Sequence, residues 1–157
     1  MSINPIDHNH IRGAIALAAQ ARANGNHPFG ALLADAQGAV LLQAENSVVT
    51  DHDCTAHAEL NLVRQASRTL PTATLATCTL YTSTEPCPMC AGAIFWSQIG
   101  RVVYGLSEQG LYQATGATAD KLLIPCRSIL SAGARPVEVA GPLLEDEARE
   151  VHRDFWG

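Results

Sequence analysis

The chain has 157 residues and a mass of 16.6 kDa, which is room for one domain, residues 1–157, with a proper hydrophobic core. Apolar residues at 47% and charged residues at 16% exclude a disordered chain. A formal net charge of -5, with Lys121 as the sole lysine, argues against a nucleic-acid partner, which needs clustered Lys and Arg.

The longest apolar run near the N-terminus, Ala14 to Ala21, is too short to span a bilayer and is flanked by Arg12 and Arg22. No basic, apolar and small-residue leader pattern precedes it, so the expected compartment is the cytoplasm and no membrane partner is expected. Thiols stay reduced there, and five cysteines is an odd number that suits a disulfide framework poorly.

In chain order, Asp7 to Ala23 places Ile11, Ala14, Ile15, Ala18 and Ala21 on one stripe, predicting a helix with Asp7 as its N-cap and Asn24-Gly25-Asn26 as its stop. Ala31 to Ala34 and Ala39 to Ala44, joined by Asp35-Ala36-Gln37-Gly38, predict a hairpin. A second helix is expected from about Thr55 to Ser67, then a central strand over Thr79 to Ser83. Pro86 and Pro88 frame a third helix through Trp96, apolar on almost every face and therefore expected to be buried. Arg101 to Tyr104 predicts the fourth strand. Gly105 to Leu123 reads as loop with some helix. Pro125 to Leu130 starts another helix, Pro136 to Ala140 gives the fifth strand, and Leu143 to Phe155 predicts the last helix. Strands alternating with helices after a hairpin imply an α/β fold, a helix–sheet–helix sandwich in three layers.

Two stretches carry chemistry: Thr55-Ala56-His57-Ala58-Glu59-Leu60 and Glu85-Pro86-Cys87-Pro88-Met89-Cys90. Catalytic zinc commonly takes three protein ligands and keeps the fourth position open. Cys87 and Cys90 stand three apart across the first turn of a helix, on one face and at its positive end, which favours thiolates. His57 supplies the third ligand from the start of the preceding helix. Glu59, two residues further on, need not ligate the ion and can reach the open position, where a water with a pKa lowered to roughly 7 would lose its proton. The bland alternative is a closed structural zinc site, but no fourth ligand is evident nearby. Cys54, Cys78 and Cys126 read as small buried apolar residues, and His8, His10, His27, His52 and His152 as surface or loop histidines.

His57-Ala58-Glu59 followed by Pro86-Cys87-Pro88-Met89-Cys90 is the signature of zinc nucleobase deaminases. From Ile11 to Tyr104, including Pro28-Phe29-Gly30-Ala31, Glu45-Asn46 and Thr82-Ser83-Thr84-Glu85, the chain resembles the cytidine-deaminase-like superfamily, in the branch of guanine, cytosine and tRNA adenosine deaminases. The resemblance implies a five-stranded mixed sheet between helices, one Zn2+ per chain, a homodimer, and a small nucleobase or nucleoside as substrate. It further implies that Asn46 and the backbone of Ala58 contact the base and that Phe29 and Trp96 line or stack on it. After Gly105 the pattern departs. Guanine deaminases carry an acidic pair in a Phe-Asp-Asp setting where this chain has Ala117-Thr118-Ala119-Asp120. The end, Arg153-Asp154-Phe155-Trp156, resembles the acidic and aromatic tail that closes cytosine deaminase pockets, which makes Asp154 a substrate-binding candidate.

Three functions compete at this point. The first is hydrolytic deamination of a free base or nucleoside, guanine-like or cytosine-like. The second is adenosine editing in tRNA, which would need a basic surface. The C-terminal end instead carries Glu145, Asp146, Glu147, Glu150 and Asp154 against Arg149 and Arg153. The third is a non-catalytic zinc module, against which the free acid Glu59 speaks.

Overall fold

The computed structural model describes residues 3–116 and 120–156. Ala117 to Ala119, where the sequence departs from the guanine deaminase pattern, lie outside the described residues. Helix α1 spans Pro5–Ala23. Its N-cap is Asn4, not Asp7: the Asn4 side chain accepts from the Asp7 N–H at 3.0 Å, and the Asp7 carboxylate accepts from the Asn4 N–H at 2.9 Å. That reciprocal box satisfies two orphan donors and starts the helix earlier than the apolar stripe alone suggests.

Strands β1 (Gly30–Ala34) and β2 (Val40–Glu45) form the expected hairpin. A single turn, α2 (Val48–Asp51), leads to α3 (Ala58–Thr69), and another, α4 (Thr72–Leu75), leads to β3 (Thr79–Thr84). Then come α5 (Pro88–Ser97), β4 (Arg101–Leu106), α6 (Glu108–Thr115), α7 (Cys126–Leu130), β5 (Glu138–Ala140) and α8 (Glu145–Glu150). The sheet order is β2-β1-β3-β4-β5, with β1 antiparallel to both neighbours and β3, β4 and β5 parallel. The sheet is therefore mixed and five-stranded, as expected.

Alternation along the strands divides the core into two layers. Leu32, Ala34, Tyr81 and Val103 pack with Ile11 of α1 on one face. Ala31, Leu33, Leu80, Val102 and Tyr104 meet Leu62 of α3, Ile94 of α5 and Leu130 of α7 on the other. Gly30 shows how closely α1 approaches β1: a Cβ there would lie 2.5 Å from the Ala18 nitrogen and 2.6 Å from the Ala14 oxygen.

Two expectations about helices need correcting. The last helix stops at Glu150 instead of Phe155. Arg22 at the end of α1 donates to the carbonyls of Val151 (2.9 Å) and Arg153 (2.6 Å), and Asp154 takes φ 58, so the tail turns back over α1. Helix α5 is also not buried all round. Cys90, Ala91, Ile94 and Ser97 face inward, while Trp96 is 81% exposed, because α5 is an outer-layer helix flanked by α3 and α7 with one side uncovered. Among the described residues no helix is long and apolar enough to cross a membrane.

Asp7 ties α1 to the sheet. Fully buried, it accepts from Tyr81 Oη (2.7 Å) and from both terminal nitrogens of Arg101 (2.8 and 3.1 Å), while Arg101 Nε donates to Glu138 of β5 at 2.9 Å. Burial alone would raise the Asp7 carboxyl, but these donors outweigh it and hold the group below the usual carboxylate range. Breaking such a pair leaves an uncompensated buried charge. Arg101→Met is therefore expected to destabilise by about 3–5 kcal/mol and Tyr81→Phe by about 1–2 kcal/mol in urea titrations at pH 7. Because the folded value is depressed, the contribution of ionised Asp7 to wild-type stability should be complete above roughly pH 4 and be lost as pH falls through the folded-state value, which urea titrations across pH check.

Candidate active site

Both motif segments lie at helix starts, and the topology brings those starts together. Strand β2 feeds α3 and the parallel β3 feeds α5, so both helices begin at the same edge of the sheet. Asp53 sets up the first start by accepting from the Thr55 N–H (2.8 Å) and hydroxyl (2.7 Å). His57 follows as the extended N-cap residue of α3. Cys87 is the extended N-cap residue of α5, with Pro88 as the first helical residue and Cys90 in the first turn.

The donors converge. His57 Nδ1 lies 3.5 Å from Sγ of Cys87 and 3.5 Å from Sγ of Cys90, and the three ligand atoms all fall within 4.8 Å of one another. A tetrahedral zinc with Zn–S of about 2.3 Å and Zn–N of about 2.05 Å requires an N···S edge of roughly 3.6 Å, so the observed cluster fits that ion. Among the described residues, no fourth ligand joins the cluster. The Cys90 thiol, hydrogen-bonded to Cys87, holds the Cys87 thiol down to about 4, with burial opposing and His57 assisting. The same pairing pushes Cys90 up, and burial adds to it. Two adjacent sulfurs sharing one proton is the state that a cation would complete by displacing the second proton.

Glu59 is 5% exposed and stands beside this cluster. Its Oε1 accepts from Thr82 Oγ1 at 2.7 Å, and its Oε2 accepts from the Cys90 thiol at 3.6 Å. Burial raises its carboxyl above the ordinary value, with the Thr82 hydrogen bond pulling the other way. The acid is thus anchored on one oxygen and opens with His57 and Cys87 onto a cleft of roughly 790 Å³, the size of a small-molecule site.

The proposed substrate contacts divide. Phe29 lines the cleft. Ala58 is buried at the first position of α3, where its N–H has no helical acceptor. Asn46 is 1% exposed at the end of β2, and its Oδ1 accepts from the Val48 N–H at 3.1 Å. Trp96 and Asp154 do not line the cleft. Trp96 points off the uncovered side of α5, and Asp154 is exposed at the left-handed turn of the tail.

The aromatic in the cleft wall is Trp156. Its ring lies 6.1 Å from that of Phe29 and 5.3 Å from that of His27, and its Nε1–H donates to His152 Nδ1 at 3.0 Å. Burial, then the charge of Arg22, pushes His152 down to about 4, so the imidazole is neutral and can accept that bond. His27 is a loop residue that lines the cleft, while His152, expected at the surface or in a loop, is buried behind Trp156 and Phe29. Cys54 also lines the cleft, outside the ligand cluster.

Another wall is α6, within the stretch that reads as loop with some helix. Glu108 and Tyr112 face the cleft, with Tyr112 Oη donating to Glu108 Oε1 at 2.9 Å. Burial pushes the Glu108 carboxyl up to about 7, opposed by Tyr112 and assisted by Glu85. A capping serine, Ser107, followed by an acid and then Tyr112 one turn later was the available signal.

The geometry agrees with known proteins. The family model for the cytidine and deoxycytidylate deaminase zinc-binding region matches residues 5–106. The chain belongs to that family. A probable cytosine deaminase of Schizosaccharomyces pombe is 46% identical over 149 residues, 94% of this chain and 90% of its own length. A guanine deaminase of Bacillus subtilis is 36% identical over 126 residues, 73% of this chain and 80% of its own. A solved guanine deaminase from Nitrosomonas europaea superposes with a TM-score of 0.80 at 26% identity, covering 98% of this chain and 85% of that one. The chain is accordingly a hydrolase of the deaminase class, acting on C–N bonds.

Because the cluster forms only when α3 and α5 meet, metal binding and folding should be coupled. Zinc added to chelator-treated protein is expected to raise Tm in proportion to occupancy, and Cys87→Ser and Cys90→Ser should abolish that rise. Elemental analysis alongside melting curves checks this; full zinc content in both variants contradicts the ligand set.

Proposed function

We propose that this deaminase releases ammonia from a small free base, with one zinc ion held by His57 Nδ1 and the sulfurs of Cys87 and Cys90. The observation that carries the reading is Glu59, a buried acid beside a three-donor cluster and open to a base-sized cleft. When bound, zinc would supply the Lewis acidity that makes a hydrolytic water nucleophilic near neutral pH. Glu59 takes the proton from that water, passes it to a ring nitrogen, and delivers a proton to the departing amine. Water oxygen adds to the amidine carbon, the C–N bond breaks, ammonia leaves and a carbonyl remains. Thr82 keeps the carboxylate turned toward the donors throughout. Phe29 and Trp156 would flank the ring, with the Ala58 N–H and the Asn46 amide as polar contacts.

Similarity to the cytosine deaminase extends over 94% of the chain, whereas similarity to the guanine deaminase covers 73%. That difference favours a cytosine-like pyrimidine over a guanine-like purine. A polyanion is disfavoured, since Glu59, Glu85, Glu108 and Asp120 line the cleft against Lys121. Two free thiols as ligands suit a reducing cytoplasm.

Glu59→Ala is expected to keep its zinc while ammonia release falls on the order of 10²- to 10⁴-fold. The assay should span cytosine, guanine, adenine, their nucleosides, small triazines and tRNA. Normal turnover in the variant would remove Glu59 from the reaction.

The uncharged helix α5, with Trp96 exposed beside Gly92 and Ala93, supports a homodimer through that face. Light scattering should give twice the chain mass for wild type and the single-chain mass for Trp96→Glu; a monomeric wild type rules the pairing out.

A further inference from the structure

Of the cleft's carboxylates, Glu108 alone has no assigned work. Glu59 is anchored by Thr82 beside the metal donors. Glu85 has both oxygens occupied, accepting from the backbone N–H groups of Glu108 (2.9 Å) and Cys126 (3.0 Å). Asp120 sits at the rim, 3.8 Å from Lys121. Glu108 is 7% exposed, and its Oε1 accepts from Tyr112 Oη. Among the described residues nothing donates to its Oε2. The idle oxygen is not sealed in the core but opens onto the cleft, where a donor on a bound molecule could reach it.

The placement is also rigid. Glu108 opens α6 behind the Ser107 cap, and its backbone is held by Glu85, two residues before Cys87. Tyr112, one turn along the same face, fixes which oxygen is free. The carboxylate is thereby held in fixed register with the segment that carries Cys87.

We propose that Glu108 reads the ring N–H of the base, and so selects free bases over those carrying a substituent on that nitrogen, with Tyr112 as the positioning residue. The idea rests on the deaminase reading above and names its substrate class. In a nucleoside the sugar replaces the proton that Glu108 Oε2 would accept, which shuts that oxygen off from water in the cleft without giving it a donor. Such a site penalises the substituted base through lost pairing as well as bulk.

The test compares wild type, Glu108→Met and Glu108→Gln on cytosine against 1-methylcytosine, and on guanine against 9-methylguanine, with zinc content and Tm as folding controls. For the free base that wild type turns over, kcat/KM is expected to fall roughly 10- to 100-fold in Glu108→Met, chiefly through KM, with Glu108→Gln intermediate. The methylated base should be poor in wild type and little changed in the variants, so the preference collapses. Equal losses on both bases, or no loss on the free base, overturn the proposal. Calorimetry with the same bases separates it from the parent reading. If wild type binds a free base without releasing ammonia and Glu108→Met loses that binding, the assignment of Glu108 stands while deamination falls. If wild type binds neither base, both fall.

Discussion

Everything at this site depends on two helix starts meeting at one sheet edge. An imidazole nitrogen lies 3.5 Å from each of two sulfurs, the spacing at which one cation could touch all three. Holding them there takes two crossover units with β1 lying between β2 and β3, the close approach of α1 permitted by Gly30, and a sheet twisted so that α3 and α5 touch. The Asp7–Arg101–Glu138 network belongs to the same requirement from the opposite face. It binds α1 to β4 and β5 and fixes the sheet against which α5 packs.

Glu59 illustrates why position within a helix matters more than residue type. As the second residue of α3 it stands outside the three-donor cluster that His57 joins from the N-cap, yet it reaches the Cys90 sulfur. Thr82 reaches it from β3, so its orientation is set by the central strand and not by the helix carrying it. A proton carrier needs that combination: close enough to the reacting water, anchored on one oxygen, and too poorly solvated to give up its proton to bulk.

The sequence was readable where local rules and chemistry coincide. The hairpin and the five strands follow from alternation and turn residues, and the meeting of His57, Cys87 and Cys90 from the two Cys/His segments; the strand order is known only from the structure. Helix ends were less so, because α8 is cut short by Arg22, a residue far away in sequence, capturing two carbonyls that a continuing helix would need. Trp96 and Trp156 exchange expectations for a similar reason. Spacing cannot say which side of α5 lacks a neighbour, or that after a left-handed turn at Asp154 it is Trp156 that lines the cleft. Glu108 lay hidden in a stretch with weak periodicity, whose helix is held by Ser107 and by Glu85 and Glu145 instead of by an apolar stripe.

That contrast is physical and bears on how the protein divides its labour. The metal side of the cleft is built from regular elements whose positions are over-determined by the core, so the reaction it supports is legible from a few residues. The opposite side of the cleft is set by side-chain contacts between separate segments: Glu85 and Glu145 to the start of α6, Tyr112 to Glu108, Trp156 to His152, and Arg22 to the tail. Each costs about one hydrogen bond to lose, so each can change without unfolding the sheet or dispersing the donors. Substrate choice can therefore vary at α6 and at the turn after Glu150 while the three-donor cluster stays in place.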